Sequence, residues 1–183
     1  MSSDIEKIGD SELYFMLDKD KATAEKAFAE LYARYSSRVY AYCRRFLGNK
    51  DDARDIFQET FVRFFQSVNE DRVMTNVPAF LLKIARNLCV NFKRKNKETV
   101  SFEEYMYVNQ NKNDQDELLK LIKMALDFLP DEYKDLFILR EYEGFSYNEI
   151  SELTGLSLST VKIRLFRAKQ KIREILQPYL ADL

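Results

Sequence analysis

The 183-residue chain has no histidine, two cysteines, three prolines and four glycines, and each scarcity excludes something. Without histidine, a His general base, a Ser-His-Asp triad and the common zinc sites are out of reach. Cys43 and Cys89 stand too far apart for a C-x-x-C pair, and each falls in an amphipathic stretch, as a reduced thiol in or near a core does. Apolar stretches are broken by charge within a few residues, far short of the roughly 18 or more that a membrane span needs, so neither a span nor membrane insertion is expected. Residues 1–10 are polar and acidic rather than a basic segment leading into an apolar run, and a cytoplasmic location is expected. The 29 basic and 30 acidic residues leave a net charge of -1. That total does not exclude a nucleic-acid partner, because screening over about 8 Å makes local clusters matter more than the sum.

What is present is a helical pattern. Apolar residues recur every three or four positions, as in Phe28, Leu31, Tyr35, Val39, Tyr42, Phe46 and again in Ala53, Ile56, Phe57, Phe61, Phe64, Phe65. Gly48, Gly144 and Gly155 follow such runs, Pro78 and Pro130 open them, and Pro178 is expected to close the last. The fold class is therefore all-α, with helices expected near 11–17, 22–47, 51–68, 78–95, 115–128, 130–142, 147–153 and 158–176. The stretch from Glu98 to Gln115 is rich in Asn, Gln and Glu and reads as a flexible linker. It separates two small helical domains, 1–97 and 116–183. Domains of this size are marginal alone, which favours dependence on a partner.

The charge is unevenly placed. Between Pro78 and Lys97 every charged residue is basic, and Lys83, Arg86, Asn87, Lys93 and Arg94 lie opposite the apolar face of Leu81, Ile84, Ala85, Leu88 and Phe92. Asn87 can both donate to and accept from a base edge. A second run without acids spans Ser157 to Arg173, with a seam of Val161, Leu165, Ala168, Ile172 and Leu176. Its opposite face carries Ser159, Lys162, Ile163, Phe166 and Gln170, flanked by Arg167 and Arg173. Exposing Ile163 and Phe166 between cations is costly for a helix that meets only water, whereas thymine methyls or sugars in a major groove would cover them. Ahead of this run, Ser146 and Glu149 form a capping box, Thr154-Gly155-Leu156 a tight turn, and Ser157 a cap for the next helix. The spacing is that of a helix-turn-helix whose second helix enters DNA.

The helix at 51–68 is acidic outside, with Asp52, Asp55, Gln58, Glu59, Arg63 and Gln66. A solvated face, a protein-facing surface, and a metal site for a nuclease built from Asp51, Asp52, Asp55 and Glu59 are its three readings. No further ligands or substrate pocket accompany the carboxylates, so neither a catalytic role nor a cofactor is expected.

Together these segments resemble a bacterial alternative sigma factor of the small, two-domain extracytoplasmic-function group. FAELYARYSSRVYAYCRRFLGNKDDARDIFQETFVRFFQS followed by PAFLLKIARNLCVNFKRK is similar to sigma domain two, and LPDEYKDLFILREYEGFSYNEISELTGLSLSTVKIRLFRAKQKIREIL to sigma domain four. The resemblance implies a non-enzymatic initiation factor whose D-x-x-Q-E residues, Asp55, Gln58 and Glu59, dock on the clamp coiled coil of core RNA polymerase, with the polymerase flap as a further contact. It also implies that the loop carrying Asn69, Glu70, Asp71 and Arg72 and the following helix hold the opened −10 element. There Asn87 and Asn91 meet a flipped base, and Lys83, Arg86, Lys93 and Arg94 neutralise phosphates. For the −35 element it implies base or groove contact by Lys162, Ile163, Phe166 and Arg167, and phosphate contact by Ser157, Ser159, Thr160, Arg164 and Lys169. Ile163 departs from the small polar residue usual in the family, and the loop lacks an aromatic residue. An anti-sigma factor is the expected regulator. The acidic extension from Asp4 to Glu12 reads as a frayed tail, with an intramolecular or anti-sigma contact as the alternative. A LuxR-like repressor would share the C-terminal block, but such a protein has no reason to contain DIFQET and the basic helix after it.

Overall fold

A computed structural model describes residues 5–68, 74–96 and 117–180. All regular structure among them is helical. The loop residues Asn69, Glu70, Asp71 and Arg72 and the linker 98–115 lie outside the described residues. Contacts divide the chain into two compact units, Met1–Cys89 and Val90–Leu183.

The first unit is built on an antiparallel hairpin of α2 (Lys21–Leu47) and α3 (Lys50–Gln66). Only Gly48 and Asn49 separate the two helices. Gly48 ends α2 at φ 78°, a left-handed conformation that a β-carbon would strain, and the Asn49 side chain accepts from the amides of Asp51 and Asp52. So short a link forces the helices side by side, and aromatic pairs mark the register: Tyr40 against Phe57, Tyr32 against Phe61, Phe28 against Phe65. Phe65 was expected in the buried stripe, yet it is 46% exposed. It sits at the edge of that stripe, with the Phe28 ring edge-on at 5.7 Å between centroids.

α4 (Val77–Lys95) starts at Asn76, whose Oδ1 accepts from the Ala79 amide, with Pro78 in the first turn where its missing N–H costs nothing. Its buried face is Val77, Leu81, Leu82, Ala85, Leu88 and Cys89, and Phe80 meets Phe64 at 6.1 Å. Cys43 and Cys89 are both buried.

The N-terminal segment is docked rather than frayed. A 3-10 turn at Ile5–Lys7 leads into α1 (Asp10–Met16), where Leu13, Tyr14 and, just beyond it, Leu17 are buried. The Tyr14 hydroxyl donates to the Ser67 carbonyl at 3.0 Å. Arg34 of α2 gathers the rest, donating to Glu30 and Asp10 carboxylates at 2.7 and 2.8 Å and to the Ile8 and Glu6 carbonyls at 3.0 and 2.8 Å. Tyr35 also donates to Asp10, and burial together with that carboxylate pushes its phenol up to about 12, so it stays protonated. Arg34, which sequence reasoning did not single out, is thus the cation that holds the acidic extension in place. Arg34→Ala should cost about 2 kcal/mol, as expected for losing hydrogen bonds to charged groups. Amide exchange at residues 8–14 should then quicken far more than in α3. Equal protection would show that the apolar contacts of α1 suffice.

The second unit contains α5 (Glu117–Asp127), α6 (Asp131–Phe137), a π-helical turn (Ile138–Tyr142), α7 (Tyr147–Thr154) and α8 (Leu158–Leu180). Its core includes Leu126, Leu129 and Ala168, with Ile122, Tyr133, Phe137 and Ile172 against them. The single helix expected over 130–142 is interrupted by the π turn, where the Glu143 amide reaches five residues back to Ile138 at 3.1 Å. Arg140 locks the exit, donating to the Phe145 carbonyl at 2.8 Å with its guanidinium 4.9 Å from the Tyr147 ring centre. Lys134, 3% exposed, is paired with Asp127 at 2.8 Å, and burial pulls its ammonium below the ordinary lysine value although Asp127 opposes the shift. Pro178 does not close α8. It lies inside the last turn, where its missing N–H removes a single intrahelical hydrogen bond.

Candidate nucleic-acid interface

Three helix faces collect the chemistry. On α3, the buried residues Ala53, Thr60, Phe61 and Phe64 turn Asp55 and Gln58 outward. Glu59 is half-buried and accepts from Arg63 Nε at 2.7 Å. The three lie within an arc of about 100°, and Val62 continues it. Val62 is 49% exposed and was not singled out by sequence reasoning, although helix arithmetic places it one turn beyond Gln58. Among the described residues no group of three or more acidic or cysteine side chains is placed to hold a metal ion.

On α4, Lys83, Asn87, Asn91 and Arg94 are all exposed and fall within an arc of about 80°. Arg86 and Lys93 are half-buried on one flank of that stripe. The helix therefore presents amides in line with cations, which suits a base edge and its adjoining phosphates. The loop half of this expected site is outside the described residues.

The third face belongs to α8. The Ser146 hydroxyl accepts from the Glu149 amide at 3.2 Å, and the Ser146 amide donates back to the Glu149 carboxylate at 2.7 Å. Hydrogen bonds from the Ser146 side chain and backbone hold the Glu149 carboxyl below the usual carboxylate range. α7 ends at Gly155, φ 73°, and Ser151 Oγ donates to the Leu156 carbonyl across the turn at 2.5 Å. Ser157 then caps α8 through the Thr160 amide at 3.2 Å, with Ser159 and Thr160 hydroxyls 3.0 and 2.8 Å from its own. Val161, Leu165 and Ala168 are buried, which fixes the rotation of α8 about its axis. Ser159, Lys162, Ile163, Phe166, Arg167 and Gln170 consequently face solvent, Ile163 at 52% and Phe166 at 70% exposure. Arg164 and Lys169 are different. Each is held by a carboxylate of the same unit, Arg164 by Glu132 and Lys169 by Glu141, both at 2.8 Å. Nothing in the sequence spacing marks those two acids, because the pairs join separate elements.

A short polar helix, a tight turn and a basic helix with groove-sized apolar side chains define a helix-turn-helix DNA-binding unit, here following a helical unit with an acidic face. Comparison with known families gives the same order: residues 31–99 match Sigma-70 region 2 and residues 119–172 match Sigma-70, region 4. The chain is 31% identical to the RNA polymerase sigma factor SigV of Bacillus subtilis, over 85% of this chain and 94% of that protein. It is 30% identical to the ECF RNA polymerase sigma factor SigE of Mycolicibacterium smegmatis, over 87% of this chain and 65% of that protein. A solved structure of the sigma factor RpoE in complex with the anti-sigma factor NepR from Bartonella quintana superposes with a TM-score of 0.66, at 21% identity over 83% of this chain and 98% of that one. The chain belongs to the extracytoplasmic-function sigma factors of the sigma-70 family. It is thus a promoter-specific transcription initiation factor that binds core RNA polymerase and promoter DNA, with no enzymatic activity of its own. Among the described residues no helix is long and apolar enough to cross a membrane.

Proposed function

We propose that the three faces divide the work of initiation. Asp55, Gln58 and Glu59, extended by Val62, dock on the clamp coiled coil of core polymerase. Lys83, Asn87, Asn91 and Arg94, with Arg86 and Lys93 beside them and the loop from Asn69 to Arg72 ahead, hold the opened −10 strand. Base or groove contact at the −35 element falls to Lys162, Ile163, Phe166 and Arg167, while Ser157, Ser159 and Thr160 meet phosphates at the start of α8. The observation that carries this reading is the exposure of Ile163 and Phe166 between cations on a helix whose opposite side is core, in the same chain as the outward-facing Asp55 and Gln58 of α3. A DNA-binding repressor would need only the former.

The linker 98–115 joins a polymerase-binding domain ending near Lys97 to a −35-binding domain that reaches the polymerase flap. The protein works in the cytoplasm, and an anti-sigma factor holds it inactive; the similarly folded sigma factor RpoE of Bartonella quintana is solved in complex with an anti-sigma factor. The test is to mix the full chain with bacterial core RNA polymerase on a library of genomic fragments and to map transcript starts. The expected outcome is a set of starts preceded by two shared sequence elements at fixed spacing. If no starts depend on the chain, the reading fails.

A further inference from the structure

The helix that meets the −35 element carries more cations than its outward face uses. Arg164 and Lys169 were expected at phosphates, but Arg164 Nη2 lies 2.8 Å from Glu132 Oε2 in the first turn of α6, and Lys169 Nζ lies 2.8 Å from Glu141 Oε1 in the π turn. At about 100° per residue the exposed stripe of α8 centres on Ser159, Phe166 and Gln170, with the buried seam opposite. Arg164 and Lys169 fall on the two opposite flanks, each nearer the seam than the centre of the stripe. Lys162 and Arg167 are exposed nearer the stripe, and they differ in that among the described residues no carboxylate pairs with either.

We propose that Glu132 and Glu141 are positioning residues that withhold Arg164 and Lys169 from DNA phosphates, lowering sequence-independent affinity while leaving the base-facing side chains untouched. The inference rests on α8 being the DNA-facing helix. Exposed ion pairs of this kind contribute little to stability, so stability is a poor account of why two acids from separate elements grip one basic helix on both sides. Their effect on DNA binding is larger. Each phosphate neutralised releases counterions and steepens the dependence of log K on log salt by about 0.9, and that gain is the same on every sequence. A cation held internally forgoes the gain, so the ratio of specific to non-specific binding rises. Phosphates and carboxylates compete for the same guanidinium and ammonium donors, and the carboxylates here are already within hydrogen-bond reach.

The test uses the full chain and a labelled random-sequence duplex, with anisotropy titrations between about 50 and 200 mM salt. Glu132→Gln plus Glu141→Gln keeps the shape and removes the charge. It should bind tighter by about tenfold at the low-salt end, with a slope steeper by about 1.8, two phosphates' worth. Adding Arg164→Gln and Lys169→Gln to that variant should return affinity and slope to the wild-type values, which a merely structural role for the acids does not foresee. Unchanged affinity and slope in the Glu variant overturn the proposal, and so does weaker binding with a lowered melting temperature. A Lys162→Ala plus Arg167→Ala control separates the two levels of failure. If that control binds less while the Glu variant matches wild type, α8 still faces DNA and only the withholding is wrong. If neither wild type nor the Glu variant binds at all, both fall.

Discussion

Alanine at both Asp55 and Glu59 is expected to weaken binding to core RNA polymerase by at least about a hundredfold, two central contacts of about 2 kcal/mol each being lost together. The fold should not be affected. Asp55 is exposed and Glu59 half-exposed, α3 is anchored by Ala53, Phe61 and Phe64 on its other side, and alanine favours a helix at least as well as either acid. One local change accompanies the swap: Arg63 loses its 2.7 Å partner and adds uncompensated positive charge to the face. If the partner surface is basic, that repulsion adds to the loss. The measurement is a dissociation constant for the purified chain and core enzyme, with the melting temperature of the variant alongside. An unchanged constant would return the acidic face to ordinary solvated surface.

Transcription from a promoter with an intact −35 element should fall by about tenfold or more for Lys162→Ala and again for Arg167→Ala, each good base contact being worth about 1–3 kcal/mol. Both side chains are exposed and lie away from the Val161, Leu165 and Ala168 seam, so the helix should persist. The defect should shrink on a promoter whose −35 element is scrambled, because there the contacts are already absent. If both variants transcribe the intact promoter at the wild-type level, the −35 assignment is wrong. Phe166, 70% exposed with no core role, offers the matching apolar case, but its effect depends on whether the element presents thymine methyls.

Much of this was legible in the residue order, for a physical reason. A helix turns through about 100° per residue whatever its surroundings, so the spacing of apolar positions states which side faces a core before the core is known. Val161, Leu165 and Ala168 emerge as the buried seam, and Ile163 and Phe166 as outward, in agreement with that arithmetic. Caps are equally local: the Ser146 and Glu149 box needs only four consecutive residues. Where the pattern is marginal the same arithmetic fails. Phe65, apolar but on the rim of its stripe, is left half-open, because periodicity says where a side chain points and not how far the neighbouring helix extends.

Residue order alone is enough for the all-helical class, the helix-turn-helix, the segregation of charge into acidic and basic faces and the family to which the chain belongs. Those are properties of short windows, set by local sterics, helix periodicity and turn chemistry. The tertiary structure alone decided which charges are spoken for. Arg34 reaches back to Asp10 and to two carbonyls of the N-terminal segment, Lys134 is buried with Asp127, and Arg164 and Lys169 are taken by Glu132 and Glu141. A long charged side chain pairs with whatever the fold brings within about 3 Å, and that distance is set by how helices cross, not by their separation along the chain.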